Sequence, residues 1–74
     1  MEKSVVLGID IGGTNTIYGF ITRKGNIIFH DEIPTNGSKP ILDLIGRIND
    51  NVKKFFSKNR QYSLSGIGIG APNG

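Results

Sequence analysis

The sequence predicts an α/β domain with the element order β-β-β-α-β, in which three antiparallel strands are followed by a helix and a parallel fourth strand. Apolar, β-branched segments run from about Ser4 to Asp10, Thr16 to Arg23 and Asn26 to Ile33, and turns rich in glycine and polar residues separate them. Apolar residues then recur at helical spacing from about Pro40 to Ser57. A last segment, Leu64 to Gly70, alternates glycine with isoleucine.

The three N-terminal strands are predicted to form a meander. The first is apolar on both faces, as is typical of a central strand. The third becomes charged at His30, Asp31 and Glu32, which favours a solvated edge strand. His30 and Glu32 share one face of that strand, so a metal or acid–base role is conceivable, but the edge interpretation is stronger. Between the second and third strands, Gly25 can take the positive φ of a hairpin turn.

The helix is predicted to begin at Pro40, with Ser38 or Lys39 as its N-cap. One apolar stripe faces the core: Ile41, Leu44, Ile45, Ile48, Val52, Phe55 and Phe56. Two pairs of opposite charge at i,i+4 spacing lie on the outer surface, Asp43 with Arg47 and Asp50 with Lys54.

The helix returns the chain by a right-handed crossover, so the fourth strand can lie parallel to the first. Its isoleucines, Ile67 and Ile69, are expected to pack inward. Its glycines leave the other face bare, where a helix or a ligand can approach the backbone: Gly66, Gly68 and Gly70. Close helix packing is favoured for the first two glycines and a ligand for the third. Parallel pairing would also place the end of this strand beside Asp10, where ligands gather in open α/β sheets.

The turn after the first strand, Asp10-Ile11-Gly12-Gly13-Thr14-Asn15, is the best candidate for a site. Two adjacent glycines let backbone N–H groups approach an anion such as phosphate. A carboxylate beside them suits a phosphate that carries Mg²⁺. On spacing alone, a simple hairpin turn is equally acceptable. The turn matches neither of the glycine-rich loops that join a strand to a helix.

Composition excludes several classes of protein. The net charge of +3 comes from scattered basic residues, so a nucleic-acid surface is not expected. There is no cysteine for a disulfide or a thiolate metal site, which fits the cytoplasm. The N-terminal segment resembles neither a signal peptide nor a membrane span. A chain of 74 residues that ends in the turn-forming segment Ala71–Gly74 is short for a two-substrate enzyme, so we expect a piece of a longer protein.

Two segments resemble a known family. Leu7-Gly8-Ile9-Asp10-Ile11-Gly12-Gly13-Thr14-Asn15 resembles the first phosphate motif of sugar kinases with the actin and hexokinase ATPase fold. Gly66-Ile67-Gly68-Ile69-Gly70-Ala71-Pro72 resembles the fourth-strand segment of the bacterial ROK-type glucokinases. The resemblance covers nearly the whole chain, but only about the first quarter of such an enzyme. It implies a ribonuclease H-like half-domain with strand order three-two-one-four-five, of which residues 1–74 are the N-terminal part.

The resemblance also implies a function, transfer of the γ-phosphoryl group of ATP to a hydroxyl of glucose or a related sugar. Asp10 would hold Mg²⁺ through water. The amides of Gly12, Gly13 and Thr14 and the Thr14 hydroxyl would contact phosphate, and Asn15 would add a further polar group. ATP and Mg²⁺ are therefore the implied cofactors, and a sugar and a nucleotide are the implied partners.

Other parts of the implied site lie elsewhere. Gly70 and Ala71 would form part of the wall near the sugar. The catalytic base is expected in an Asn-Asp motif beyond Gly74, together with the sugar-contacting side chains, the adenine pocket and the zinc motif of many members. The 74 residues alone are therefore expected to be inactive.

Three alternatives stay open at this stage. The chain could come from a non-catalytic ROK-type regulator, although the first strand begins too near Met1 for a preceding helix-turn-helix. It could come from another ATPase or kinase of the actin fold. It could also be a ligand-free module whose exposed fourth strand pairs with another copy in a homo-oligomer. The preferred sugar and the phosphate donor, ATP or polyphosphate, are undecided.

Overall fold

The predicted element order is confirmed in a computed structural model of the chain, which describes residues 3–70. Its elements are β1 (Lys3–Ile11), β2 (Asn15–Thr22), β3 (Ile27–Pro34), α1 (Ile41–Lys58) and β4 (Tyr62–Gly70). Each boundary lies within two residues of its predicted position. The segment Ala71–Gly74 lies outside the described residues, and so does the predicted contribution of Ala71 to the site.

One mixed sheet holds the four strands in the order β3-β2-β1-β4. β1 pairs antiparallel with β2 and parallel with β4, and β2 pairs antiparallel with β3. The central position of β1 and the edge position of β3 in this sheet are therefore confirmed. The arrangement is the one predicted for half of an actin-like ATPase domain.

The hydrophobic core lies between the sheet and one face of α1. Side chains alternate across a strand, so every second residue of β1 and β2 points to the helix. The helix contributes the middle of its apolar stripe, and the buried apolar residues are Val5, Leu7, Ile9, Tyr18, Phe20, Leu44, Ile48 and Val52. Phe20 is fully buried and stacks on Phe55, with ring centroids 4.4 Å apart. This packing holds the helix over the centre of the sheet.

The predicted N-cap of the helix is wrong. The helix begins at Ile41, Pro40 is the N-cap residue, and no side chain caps the first turn. The Lys39 N–H instead donates to the Asn36 carbonyl oxygen (2.9 Å), and Asn36 has a positive φ of 55°. Ser38 therefore lies in a turn that precedes the helix.

Only one of the two ion pairs predicted on the surface of α1 is formed among the described residues. Of the two predicted pairs, Asp43 and Arg47 form a salt bridge (3.1 Å), whereas no salt bridge joins Asp50 and Lys54 among residues 3–70. Over the same residues, no helix combines the length and apolar character needed to cross a membrane.

The inward packing predicted for the isoleucines of β4 is also wrong. Ile67 and Ile69 pair with Leu7 and Ile9 of β1 and so lie on the helix side of the sheet. Each remains 59% exposed, because α1 lies over β1 and β2 and leaves β4 uncovered. The glycines of β4 face the side without α1, and a β-carbon at Gly68 would have no neighbour within 4 Å. The close helix packing expected there is not found within the described part of the chain.

The fold requires glycine at two other positions, Gly19 and Gly25. A β-carbon at Gly19 would lie 2.7 Å from the Phe29 carbonyl oxygen, so the β3 backbone approaches β2 too closely for any side chain. Gly25 has a φ of +88°, as the β2–β3 hairpin turn was predicted to need. Both belong to the construction of the sheet and not to a site.

Core packing is testable with two leucines on the same helix. Leu44 is 2% exposed and Leu42 is 76% exposed. We expect Leu44→Ala to lower the free energy of unfolding by about 2–5 kcal/mol, because it leaves a cavity between helix and sheet. Leu42→Ala should change the same free energy by no more than about 0.5 kcal/mol. Denaturant unfolding followed by circular dichroism measures both, and equal losses would contradict the placement of the helix.

Candidate functional site

The candidate site lies where β1 ends. Asp10 is the penultimate residue of β1, and Gly12 to Thr14 connect that strand to β2. Asp10 points away from α1 and is exposed, and Gly13 and Thr14 at the tip of the turn are also exposed. The segment that the sequence singled out is therefore an open surface turn.

Gly12 closes the turn. Its N–H donates to the Asn15 carbonyl oxygen (3.0 Å), so this amide is used within the hairpin. A β-carbon at Gly12 would lie 2.6 Å from that same oxygen, closer than real β-carbons approach. The structure therefore revises the role expected for Gly12: the fold requires a glycine here, and its amide is not available to a phosphate.

For Gly13, no comparable contact within residues 3–70 requires a glycine. Among residues 3–70, a β-carbon there would have no neighbour within 4 Å, and the φ of Gly13 lies outside the left-handed region. Neither sterics nor backbone conformation requires glycine at this position. A ligand that approaches the backbone closely would require it.

The loop between β3 and α1 supports the turn from behind. The Thr35 N–H donates to the Thr14 carbonyl oxygen (2.9 Å), and the Thr35 hydroxyl donates to the Gly12 carbonyl oxygen (2.8 Å). The Thr16 hydroxyl, fully buried, lies 2.8 Å from the Thr35 hydroxyl. Gly37 of the same loop lies next to the Gly13 carbonyl oxygen. The sequence analysis did not find Thr35, whose nearest signal was its place in a loop before a helix.

Arg47 connects this loop to the helix. Its guanidinium donates to three oxygens: Asp43 Oδ2 through Nε (3.1 Å), the Pro34 carbonyl through Nη1 (2.6 Å) and the Thr35 carbonyl through Nη2 (3.1 Å). The predicted Asp43–Arg47 pair is therefore more than a surface ion pair. It orients a side chain that fixes the β3–α1 loop by charge-assisted hydrogen bonds.

Parallel pairing brings the end of β4 to the same place. Asp10 pairs with Gly70 in the β1–β4 ladder, as the topology predicted. Within residues 3–70, the Asp10 carboxylate forms no salt bridge and no side-chain hydrogen bond. A carboxylate without a protein cation can accept a cation that arrives with a ligand.

The protein alone does not supply a full set of metal ligands. No three His, Cys, Asp or Glu side chains cluster anywhere in the described range 3–70. His30 and Glu32 stay on the exposed edge strand. A cation at Asp10 would therefore need most of its ligands from water or from phosphate oxygens, as Mg²⁺ commonly does.

A shallow groove leads away from Asp10 across the sheet face opposite α1. Its volume is about 320 Å³, and its floor is a row of three paired glycines, Gly19, Gly8 and Gly68. Asp10 lines one part of it and His30 another. The described residues thus leave the backbone of three strands accessible beside the turn.

A second cavity, of about 430 Å³, lies between β3 and α1 and is less suited to chemistry. Tyr18 lines it and donates a long hydrogen bond to Asp31 Oδ2 (3.4 Å). Burial of the Tyr18 phenol, and then the nearby Asp31 carboxylate, raise the pKa of Tyr18 above its usual value. The phenol therefore stays neutral and serves as part of the core.

The four-stranded mixed sheet with one helix matches the actin-like half-domain found in kinases. No protein-family model matches the chain. A glucokinase from Halalkalibacterium halodurans is 37% identical over an alignment of 74 positions, which covers 97% of this chain and 22% of that enzyme. A solved structure from Listeria monocytogenes, named as a candidate N-acetylmannosamine kinase, has a TM-score of 0.60 and 28% identity over 93% of this chain and 21% of that one.

The chain is therefore similar to a segment of two sugar kinases, in agreement with the resemblance noted in the sequence. It spans about one fifth of the length of each of the two relatives.

The different roles of the two turn glycines can be tested by substitution. We expect Gly12→Ala to lower the free energy of unfolding by about 1–3 kcal/mol, because the added methyl group overlaps a backbone oxygen. Gly13→Ala should leave that free energy within about 1 kcal/mol of the original, because the position is open. Thermal or denaturant unfolding of the two variants measures the difference. If Gly12→Ala were as stable as Gly13→Ala, the turn geometry described here would be wrong.

Proposed function

We propose that this chain is the phosphate-binding segment of an ATP-dependent sugar kinase that transfers the γ-phosphoryl group to a sugar hydroxyl. The observation that carries the proposal is the open turn at the end of β1. There an exposed Gly13, which the fold of residues 3–70 does not require, lies close in sequence to Asp10, whose carboxylate has no partner among those residues. A phosphate chain with its cation accounts for both features.

In this proposal the turn binds and orients phosphate. Gly13 lets the phosphate oxygens come close to the backbone, and Thr14 offers an exposed hydroxyl as a further donor. ATP with Mg²⁺, when bound, supplies the transferable phosphoryl group and much of the charge neutralisation. Phosphoryl transfer depends mainly on positioning and electrostatic stabilisation, so a rigid turn with outward donors is a suitable contribution from this segment.

Asp10 makes binding depend on the cation. Its carboxylate would repel a bare phosphate but favours one that carries Mg²⁺, which it would hold through water. Gly70, paired with Asp10, has no side chain and so leaves room at the edge of the site where the sugar would lie. Ala71, outside the described residues, would continue that wall.

Glucose is the first candidate substrate, because the more similar relative in sequence is a glucokinase. N-acetylmannosamine is the second, after the relative found by structure. The 74 residues would form part of one actin-like ATPase domain, and the catalytic base would come from elsewhere in the enzyme. We propose a cytoplasmic location for this function, because ATP and sugars are both available there.

A chimera tests the proposal. The chain replaces the matching segment of the Halalkalibacterium halodurans glucokinase, and sugar phosphorylation is followed with Mg·ATP. The chimera is expected to phosphorylate glucose. Parallel assays with N-acetylmannosamine as the sugar, and with polyphosphate as the donor, compare the alternatives. A folded chimera without any sugar kinase activity would contradict the proposal.

Within the chimera, Asp10→Asn tests the proposed contact with the cation. We expect this change to lower kcat by about 10- to 100-fold, the usual cost of losing an outer-sphere metal partner. Asp50→Asn, at an exposed position of α1, is the matched control and should retain full activity. Equal activity of the two variants at saturating Mg·ATP would show that Asp10 has no role in the reaction.

A further inference from the structure

Thr35 lies outside the turn and donates two hydrogen bonds to it. It lies 23 residues after Gly12, and both its backbone and its side chain donate to carbonyl oxygens of the turn. We propose that Thr35 is a positioning residue that aims the donors of the turn at the phosphates, and that Arg47 holds Thr35 in place. This inference rests on the proposed function of the turn.

The geometry of the peptide bond explains how Thr35 acts. In a planar trans peptide, the C=O of one residue and the N–H of the next point in opposite directions. Thr35 binds the carbonyls of Gly12 and Thr14 from the loop side. The N–H groups of Gly13 and Asn15 belong to those same peptide planes, so they point away from the loop. Thr35 thereby presents two donors outward.

The Thr35 hydroxyl also donates to the Gly12 carbonyl oxygen, which would otherwise be the hairpin acceptor for the Asn15 N–H. Residues that pair in a hydrogen-bonded hairpin usually exchange two bonds, one in each direction. Gly12 and Asn15 make the bond from Gly12 N–H to Asn15 C=O (3.0 Å), but within residues 3–70 the reciprocal bond is not formed. The Gly12 carbonyl accepts from Thr35 instead. The Asn15 N–H is thus not used to close the hairpin.

Two further side chains hold Thr35 itself. Because the Thr35 hydroxyl gives its one proton to Gly12, the hydroxyl of Thr16 must be the donor in the Thr16–Thr35 bond (2.8 Å). Thr16 is fully buried in β2 and cannot move easily. Arg47 binds the carbonyl of Thr35 from the helix side (3.1 Å). The position of Thr35 is therefore determined by both the sheet and the helix.

Thr35→Val, Thr35→Ser and Thr22→Val form the test set. The valine variant keeps the shape and the backbone bond of Thr35 but removes the hydroxyl, and the serine variant restores the hydroxyl. Thr22→Val removes a hydroxyl that accepts from Asn26 N–H (3.2 Å) at the opposite end of β2, so it is the matched control. Circular dichroism at each temperature first establishes that the variants are folded.

Two measurements on the ¹⁵N-labelled chain follow. The first is backbone ¹⁵N relaxation of Gly13, Thr14 and Asn15 without nucleotide, which reports the order of the turn. The second is a titration with Mg·ATP, followed through the same amides. Stability alone would change neither quantity in a sample that is fully folded.

We expect Thr35→Val to increase the mobility of Gly13 and Asn15 and to weaken Mg·ATP binding by about three- to tenfold, as expected for the loss of one positioning hydrogen bond. Thr35→Ser should restore both, and Thr22→Val should change neither. Unchanged relaxation in Thr35→Val would overturn the inference. If the unsubstituted chain showed no response to Mg·ATP, the evidence for nucleotide binding by the chain would fail, whereas the relaxation data would still decide the role of Thr35.

Arg47→Lys extends the test to the helix. A lysine ammonium lacks the planar fork that lets Arg47 reach the Pro34 and Thr35 carbonyls together. The relaxation change at Gly13 should therefore be in the same direction as in Thr35→Val and smaller. A Gly13 amide as rigid as in the unsubstituted chain would remove Arg47 from the proposal.

Discussion

The pairing of β1 with two different neighbours is the constraint on which the site depends. Its antiparallel partner β2 begins after a three-residue connection, so the turn lies directly at the end of β1. Its parallel partner β4 runs in the same direction and reaches the same edge of the sheet, where Gly70 pairs with Asp10. Without the crossover through α1, the two strand ends would lie at opposite edges.

The polar groups of the turn point in two directions, toward the β3–α1 loop and toward solvent. Carbonyl oxygens are bound on the side of the β3–α1 loop, and the exposed tip carries N–H groups and a hydroxyl. Such an arrangement places partial positive charge toward solvent, where an anion can bind. In the function proposed above, the Asp10 carboxylate would add a requirement for a cation, and the turn would bind a phosphate chain with a divalent ion in preference to either component alone.

The two adjacent glycines show why a motif and its mechanism need not coincide. Gly12 is explained by the close approach of the Asn15 oxygen, whereas nothing in the fold explains Gly13. The sequence pattern could not separate these roles, because the contact that distinguishes them depends on the geometry of the closed hairpin. The structure explains Gly12 by the closing of the hairpin, and the role of Gly13 in binding a ligand is part of the proposal.

Much of the fold could be predicted from local patterns. Period-two and helical spacing predicted the five elements, and the apolar faces of β1 predicted its central place. The exposure of Ile67 could not be predicted, because it depends on where the helix lies across the sheet. The bonds from Thr35 to the turn and from Arg47 to the β3–α1 loop were missed for a related reason, since they join residues more than ten positions apart and no local pattern marks such contacts.

The most direct test of the central claim is paramagnetic broadening by Mn·ATP in the ¹⁵N-labelled chain. Mn²⁺ replaces Mg²⁺ on the phosphates and broadens amide signals near it. The account predicts loss of the Asp10, Gly13 and Asn15 signals before those of Gly25, which forms the other hairpin turn. Uniform broadening, or broadening centred on the charged edge at Glu32, would contradict it.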